Sequence, residues 1–179
     1  MKTMENTINT KDIKEGLLIM KDGTKLSFKE PMIKDEDWVM IDYSVIPKEI
    51  FDKYGAKPFQ IMKRKMRKDG EVWANITWSE AKEEAKKLGY RLPSIQEMLV
   101  LLHAYKEKYP TNANVKHDEF LGIEELSYDQ DVNYEWIDAP VPYIRGGYWG
   151  SGANGGVFTL YLLCVSGNQS SSVGVRCVR

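Results

Sequence analysis

Charge all but disappears from this chain after residue 142. Of 25 basic and 26 acidic side chains, only Arg145, Arg176 and Arg179 fall within residues 143–179, amid Gly, Ser, Asn, Val and Leu. So long a stretch with so little charge is neither a solvated helix nor a polyelectrolyte arm. Its Gly/Ser/Asn punctuation predicts short strands joined by loops. The end of the chain must therefore be β-rich and largely packed, and everything charged must be arranged ahead of it.

Ahead of it the pattern changes several times. Residues 1–15 are polar and expected to fray. Leu17-Leu18-Ile19-Met20, a Lys21-Asp22-Gly23-Thr24 turn and Lys25-Leu26-Ser27-Phe28 predict a hairpin, because Asp-Gly accepts the positive φ angles of a tight turn. Residues 38–43 and 59–66 read as strands, the second turned by Lys68-Asp69-Gly70. Pro47 opens a short helix through Tyr54, closed by Gly55. Thr77 or Ser79 can cap a helix to about Leu88, with Trp78, Ala81, Ala85 and Leu88 at helical spacing and Gly89 as terminator. Ser94 and Glu97 form a capping box for a second helix, 95–108, which Pro110 stops; Ile95, Met98, Leu99 and Leu102 are its expected buried stripe. Residues 110–142 read as loop-rich and locally acidic. Strands, then two central helices, then a β-rich end make an α+β chain rather than a βαβ series. The expected division is an N-terminal extension with a hairpin, 1–36, and one domain, 37–179.

Bulk properties exclude several functions. Hydrophobic residues at 42% and charged residues at 28% are incompatible with wholesale disorder. A net charge of -1 gives no global attraction to nucleic acid or to an anionic membrane. No apolar run approaches the ~20 residues of a membrane helix, and the first residues carry neither a secretory leader nor a lipidation cysteine. Two cysteines, Cys164 and Cys177, and two histidines, His103 and His117, are too few for the usual N/S zinc site. No metal or other cofactor is expected.

Two segments carry a family resemblance. Ile76-Thr77-Trp78-Ser79-Glu80-Ala81, Ala85, then Gly89-Tyr90-Arg91-Leu92-Pro93-Ser94 and Glu97 resemble the two-helix signature of the formylglycine-generating branch of C-type-lectin-like domains. There a Trp-x-x-Ala helix leads into Arg-Leu-Pro-Ser/Thr. The second segment is Arg145-Gly146-Gly147-Tyr148-Trp149-Gly150-Ser151-Gly152-Ala153-Asn154-Gly155-Gly156-Val157-Phe158, closing with Val173-Gly174-Val175-Arg176-Cys177-Val178-Arg179. It resembles the C-terminal variable region of proteins diversified by retroelements, among them phage tropism determinants. The chain departs from that pattern at Gly155, usually Ala, and at Val175, usually Phe. The resemblance covers roughly the C-terminal 100 residues.

It implies a C-type-lectin-like fold and a variable region at about 145–179. In such systems a template RNA is copied with errors at adenines, so an Asn codon of the form AAY becomes any NNY codon, which never encodes Lys, Glu, Gln, Met or Trp. Tyr148, Gly150, Ser151, Tyr161, Leu163, Cys164, Asn168, Ser170 and Ser172 stand where the template usually holds Asn, and all nine belong to the NNY set. Trp149 and Gln169 lie outside it and read as fixed. Strand alternation is compatible with this: Phe158, Leu160 and Leu162 share one face, and Thr159, Tyr161 and Leu163 the other. Val173, Val175 and Cys177 likewise share a face opposite Arg176. Tyr148 and Tyr161 are the expected anchors, since Tyr offers broad contact at small entropic cost. Trp149, Arg145 and Arg176 are the expected scaffold, the arginines either holding loop carbonyls or taking a carboxylate ligand. Cys164 stands at a variable position, so no conserved disulfide with Cys177 is expected.

The function so implied is a non-enzymatic binding protein that meets a protein or cell-surface receptor through the variable face. Nucleic acid and membrane insertion are not expected; a homo-oligomer, or docking onto a larger assembly, is left open. Display on a virion or cell surface would need a non-classical route. Two alternatives stand. A formylglycine-generating-type enzyme needs a copper-binding pair of reactive cysteines. A calcium-dependent sugar lectin needs oxygen ligands, for which Asp129, Asp131 and Glu135 are the candidates.

Overall fold

A computed structural model describes residues 15–19, 25–29, 33–109, 117–126, 131–146, 158, 160–162, 167 and 169–179; for 15–19, 25–29, 161 and 162 it describes the main chain only. The chain divides into two compact units, Met1–Asp35 and Glu36–Arg179. In the first, β1 (Glu15–Ile19) and β2 (Lys25–Lys29) form the expected antiparallel hairpin, with Ile19 opposite Lys25 and Leu18 opposite Leu26.

The second unit mixes helices with small sheets. Strand β3 (Trp38–Ile41) pairs antiparallel with β4 (Phe59–Met62), and helix α1 (Lys48–Tyr54) lies between them in sequence. Pro47 precedes the first turn of α1, and Gly55 ends it at φ 67°, the left-handed conformation a glycine adopts without steric cost. The strand expected over 59–66 stops at Met62. A two-residue turn at Asp69 (φ 54°) and Gly70 (φ 89°) joins β5 (Arg67–Lys68) to β6 (Glu71–Val72).

Helices α2 (Trp78–Lys87) and α3 (Ile95–Lys108) each carry a complete capping box, Thr77 with Glu80 and Ser94 with Glu97. Ala81 and Ala85 bury the inner face of α2. The buried face of α3 differs from the expected one: Glu97, Met98, Val100, Leu101 and Tyr105 lie inside, whereas Leu99 does not. Residues 98–102 are apolar without interruption, so helical periodicity alone could not choose the face. Contacts chose it: Tyr105 stands edge-on to Phe120 and Phe158, and Glu97 accepts both arms of the Arg91 guanidinium (2.5 and 2.7 Å).

A four-stranded sheet completes the unit, in the order β10 (Val173–Gly174), β7 (Tyr134–Ile137), β8 (Tyr143–Gly146), β9 (Leu160–Leu162). Strand β7 was not expected from sequence; it lies inside the stretch read as loop. Its burial is continuous over Glu135, Trp136 and Ile137, so it shows no alternation. Two indoles fasten it to the start of α2: Trp136 donates to the Ile76 carbonyl (3.0 Å) and Trp78 to the Ile137 carbonyl (2.8 Å).

The chain terminus returns through the middle. Gln60 and Arg179 exchange backbone bonds, Met62 N–H donates to Cys177 O, and Met66 N–H to Val175 O. On its other side Val178 exchanges bonds with Arg91. The core gathers Ile41, Phe51, Ile61, Met98, Leu101, Ile137, Phe158 and Val178, with Leu160 packed against it. Among the described residues no helix is long and apolar enough to cross a membrane.

The second capping box matters more than the first, because Glu97 is buried and also holds Arg91, whereas Glu80 is exposed. Glu97→Ala should lower stability by about 2–3 kcal/mol and Glu80→Ala by less, as read from urea unfolding midpoints.

Candidate functional site

Strand β7 carries a carboxylate into the interior. Glu135 is wholly buried, opposite Gly174 in β10 on one side and Arg145 in β8 on the other. Arg145 donates from Nε to its Oε2 (2.8 Å) and pairs through Nη2 with Oε1. Arg176 donates from Nε to both oxygens (3.0 and 3.1 Å). Its other nitrogens reach main-chain carbonyls, Nη1 those of Met62 (2.7 Å) and Lys63, Nη2 that of Glu124 (2.7 Å). Lys65 Nζ lies 3.7 Å from Oε1 and donates to the Glu125 carbonyl. The Arg145 guanidinium also sits over the Phe158 ring, 5.4 Å from its centroid.

Burial by itself would raise the Glu135 carboxyl, but Arg145, Arg176 and Lys65 outweigh it and hold it down at about 2. Burial brings Lys65 down to about 8 against the pull of Glu135, and lowers Arg176 as well. A carboxylate whose oxygens are filled by guanidinium donors at every pH of interest is not a general base. It is a rivet.

The rivet corrects two expectations. Arg176 does not face solvent opposite Val173, Val175 and Cys177; all four are buried, and the guanidinium is inside because Glu135 is. Of the two roles weighed for the arginines, Arg176 holds main-chain carbonyls, and the carboxylate that both arginines bind is the protein's own Glu135 rather than a ligand's. Glu135 is likewise no calcium ligand, since cations already surround it. Asp131 is exposed, and Asp129 lies outside the described residues. Among the described residues no group of three or more acidic, His or Cys side chains is arranged to hold a metal.

Arg145 and Arg176 also bracket the tail. Gly146, at φ 119°, follows the first; a side-chain carbon there would overlap the Asn133 carbonyl, so only glycine fits. Before the second, the Ser170 carbonyl accepts from Asn75 N–H (3.0 Å) and Val173 N–H (3.2 Å), and the Ser172 carbonyl from Tyr134 N–H (2.9 Å). The two serine hydroxyls bond each other (2.8 Å) and are half-buried. Neighbouring Gln169 is exposed. Main-chain carbonyls, which any residue supplies, do most of the anchoring at Ser170 and Ser172, and the Ser170 hydroxyl also accepts from the Ser172 N–H (3.2 Å).

The main chain of Tyr161 pairs with Ile144 in β8. Tyr148, Trp149, Gly150, Ser151, Leu163, Cys164 and Asn168 lie outside the described residues. Cys177 is a buried free thiol 3.3 Å from the Met66 sulfur, pushed up to about 12 by burial. On the outer side of α3, Tyr54, Leu102, His103, Lys106 and Glu107 line a shallow depression. There His103 is held between the Tyr54 hydroxyl (3.0 Å) and Glu107 (3.3 Å). His117 stacks on Tyr109 at 3.9 Å. Sequence reasoning missed Glu135 as the partner of both arginines; the signal was an acid flanked by Trp136 and Ile137 in an otherwise apolar run.

No described protein family matches the chain, and no curated protein does either.

Removing the carboxylate should be costly. Glu135→Ala leaves two buried guanidinium groups uncompensated and should destabilise by about 3–5 kcal/mol. The Glu135 carboxyl is lower in the folded state than its ordinary 4.5, so its contribution is complete above that pH and is lost as pH falls toward 2. Acid unfolding followed by circular dichroism should show this slope, and Glu135→Gln should abolish it. Gly146→Ala should cost about 3 kcal/mol through a forbidden φ and a backbone clash, measured as a lowered Tm.

Proposed function

We propose that this chain is a binding protein with a C-type-lectin-like fold of the formylglycine-generating branch, whose C-terminal surface is diversified by a retroelement. One observation carries the reading. The tail segment resembling a variable region is fastened near both ends by Arg145 and Arg176, riveted to one buried carboxylate, and neither arginine belongs to the nine positions proposed to vary. A fold tolerates exchange only where side chains do not hold its interior, because interior changes cost several kcal/mol each. Ser170 and Ser172 largely fit that requirement: their carbonyls tie them to Asn75, Val173 and Tyr134, and their hydroxyls bond only within the pair, to each other and, from the Ser172 N–H, to Ser170.

Further observations support this reading over its alternatives. The mixed helix and sheet content, with two capped helices in mid-chain and a sheet built from the tail, is compatible with the lectin-like fold. An enzyme of the formylglycine-generating type needs accessible thiolates, and Cys177 is buried and protonated. A calcium lectin drawing on Glu135 would have to displace two guanidinium groups. The basic run at 63–68 is largely spent within the protein: Arg64 pairs with Glu124, Arg67 with Glu125, and Lys65 is buried, which argues against nucleic acid as the partner. The partner class is a protein or cell-surface receptor, met through Tyr148, Gly150, Ser151, Tyr161, Leu163, Cys164, Asn168, Ser170 and Ser172, with Tyr148 and Tyr161 as anchors.

The genomic test is direct. The neighbouring DNA should hold a near-copy of the terminal coding stretch, differing at adenines, beside a reverse-transcriptase gene; its absence would remove the diversification half of the proposal. The physical test is a library varied over NNY codons at the nine positions. Most members should keep a Tm within a few degrees of the parent, while panning yields different binders for different targets. General loss of folding across the library would refute the proposed frame.

A further inference from the structure

The last turn of α1 meets the outer side of α3 at a depression of about 300 Å³ lined by Tyr54, Leu102, His103, Lys106 and Glu107. Three of these side chains form a chain of contacts. The Tyr54 hydroxyl lies 3.0 Å from Nδ1 of His103, and Nε2 of the same ring lies 3.3 Å from Oε1 of Glu107. Glu107 follows His103 by four residues, so one helical turn places both on the same face of α3. The carboxylate draws the ring proton to Nε2 and leaves Nδ1 as the acceptor toward which the phenol donates. Both ring nitrogens are therefore engaged, one by a hydroxyl and one by a carboxylate. Tyr54 and His103 are half-buried, so the pair is partly shielded yet still open to the depression. Two cations stand close by. Lys53 lies over the Tyr54 ring, 5.3 Å from its centroid, and Lys106 is exposed and in no ion pair among the described residues.

We infer that Tyr54 is a nucleophile activated by His103, and that it accepts the acyl group of a small carboxylic ester or thioester. None of these residues belongs to the tail segment, and the inference does not depend on the binding function proposed above. A nucleophile within hydrogen-bond reach of a base, which a third group orients, is the arrangement that makes a hydroxyl reactive at neutral pH. In the step, Tyr54 Oη attacks the carbonyl carbon and its proton passes to Nδ1 of His103. The bond from that carbon to the leaving oxygen or sulfur then breaks, and the imidazolium returns the proton to the leaving group. The acyl group ends as an ester of Tyr54, and no electrons are gained or lost overall. Lys106 brings positive charge to the depression in which the carbonyl oxygen turns negative, and Leu102 offers the acyl chain an apolar surface. Glu107 is a positioning residue, since it acts through the His103 ring.

The test treats the full chain with 4-nitrophenyl acetate and follows acetylation of each tyrosine by mass spectrometry of its peptides. Tyr43 is the internal reference, because it is 49% exposed and packs edge-on to Phe51 rather than bonding an imidazole. At neutral pH Tyr54 should be acetylated at least tenfold faster than Tyr43. His103→Gln can still accept from the hydroxyl but cannot take up its proton, and it should remove that advantage. The Tyr54 rate should rise from acid pH and then level off as the imidazole loses its proton; the plateau should vanish in His103→Gln, and Tyr43 should show none. Glu107→Gln should slow Tyr54 severalfold and bring the plateau to lower pH, because loss of the carboxylate makes the imidazole easier to deprotonate. Tyr54 labelled no faster than Tyr43, or an undiminished rate in His103→Gln, would overturn the inference. An unmoved profile in Glu107→Gln would overturn its positioning role. The comparison of the two tyrosines and the pH profile use the unmutated chain, so they decide the question even where a variant fails to fold.

Discussion

Glu135 and the two arginines that converge on it hold together parts of the chain that nothing else in the sequence obliges to meet. Arg145 comes from the neighbouring strand. Arg176 comes from the terminal segment and reaches the carbonyls of Met62, Lys63 and Glu124 as well. Burying one carboxylate with two guanidinium groups and an ammonium is expensive in desolvation and is not, by itself, a source of stability. What it supplies is selectivity of arrangement. Charges taken out of water are tolerated only when each finds its partner, so any register that separates Glu135 from Arg145 or Arg176 is penalised far more than a misplaced leucine would be.

The consequence reaches the surface. Between the arginines, Phe158, Val173 and Val175 are buried and serve the interior, whereas Ser170 and Ser172 are held mainly through their main chain. Ser170 and Ser172 use their carbonyls to bind Asn75 and Tyr134.

Local chemistry was legible wherever the determinants were neighbours in sequence. Ser94 with Glu97, Gly55 after α1 and Asp69-Gly70 between two strands all do what their spacing implied, and of the two cap candidates for α2 it is Thr77, boxed with Glu80, that serves, because caps and turns are decided within four residues. The inner face of α3 was not legible, since the apolar run at 98–102 offers every face to a core and Tyr105 and Glu97 made the choice. Strand β7 was hidden for a related reason. A segment buried on both sides has no alternation, and an acidic residue in its middle looks like loop until its partners are known.

The amino-acid sequence alone determined the α+β class, both capped helices, the turns and the division between a charged body and a charge-poor tail. All of these depend on propensities and periodicities acting over a few residues. Tertiary structure alone decided that Arg176 lies inside and that Glu135 is held ionised by it and by Arg145. Those outcomes depend on long-range pairing and on desolvation. Whether a buried charge is tolerated is set by partners dozens of residues away, and no local pattern encodes them.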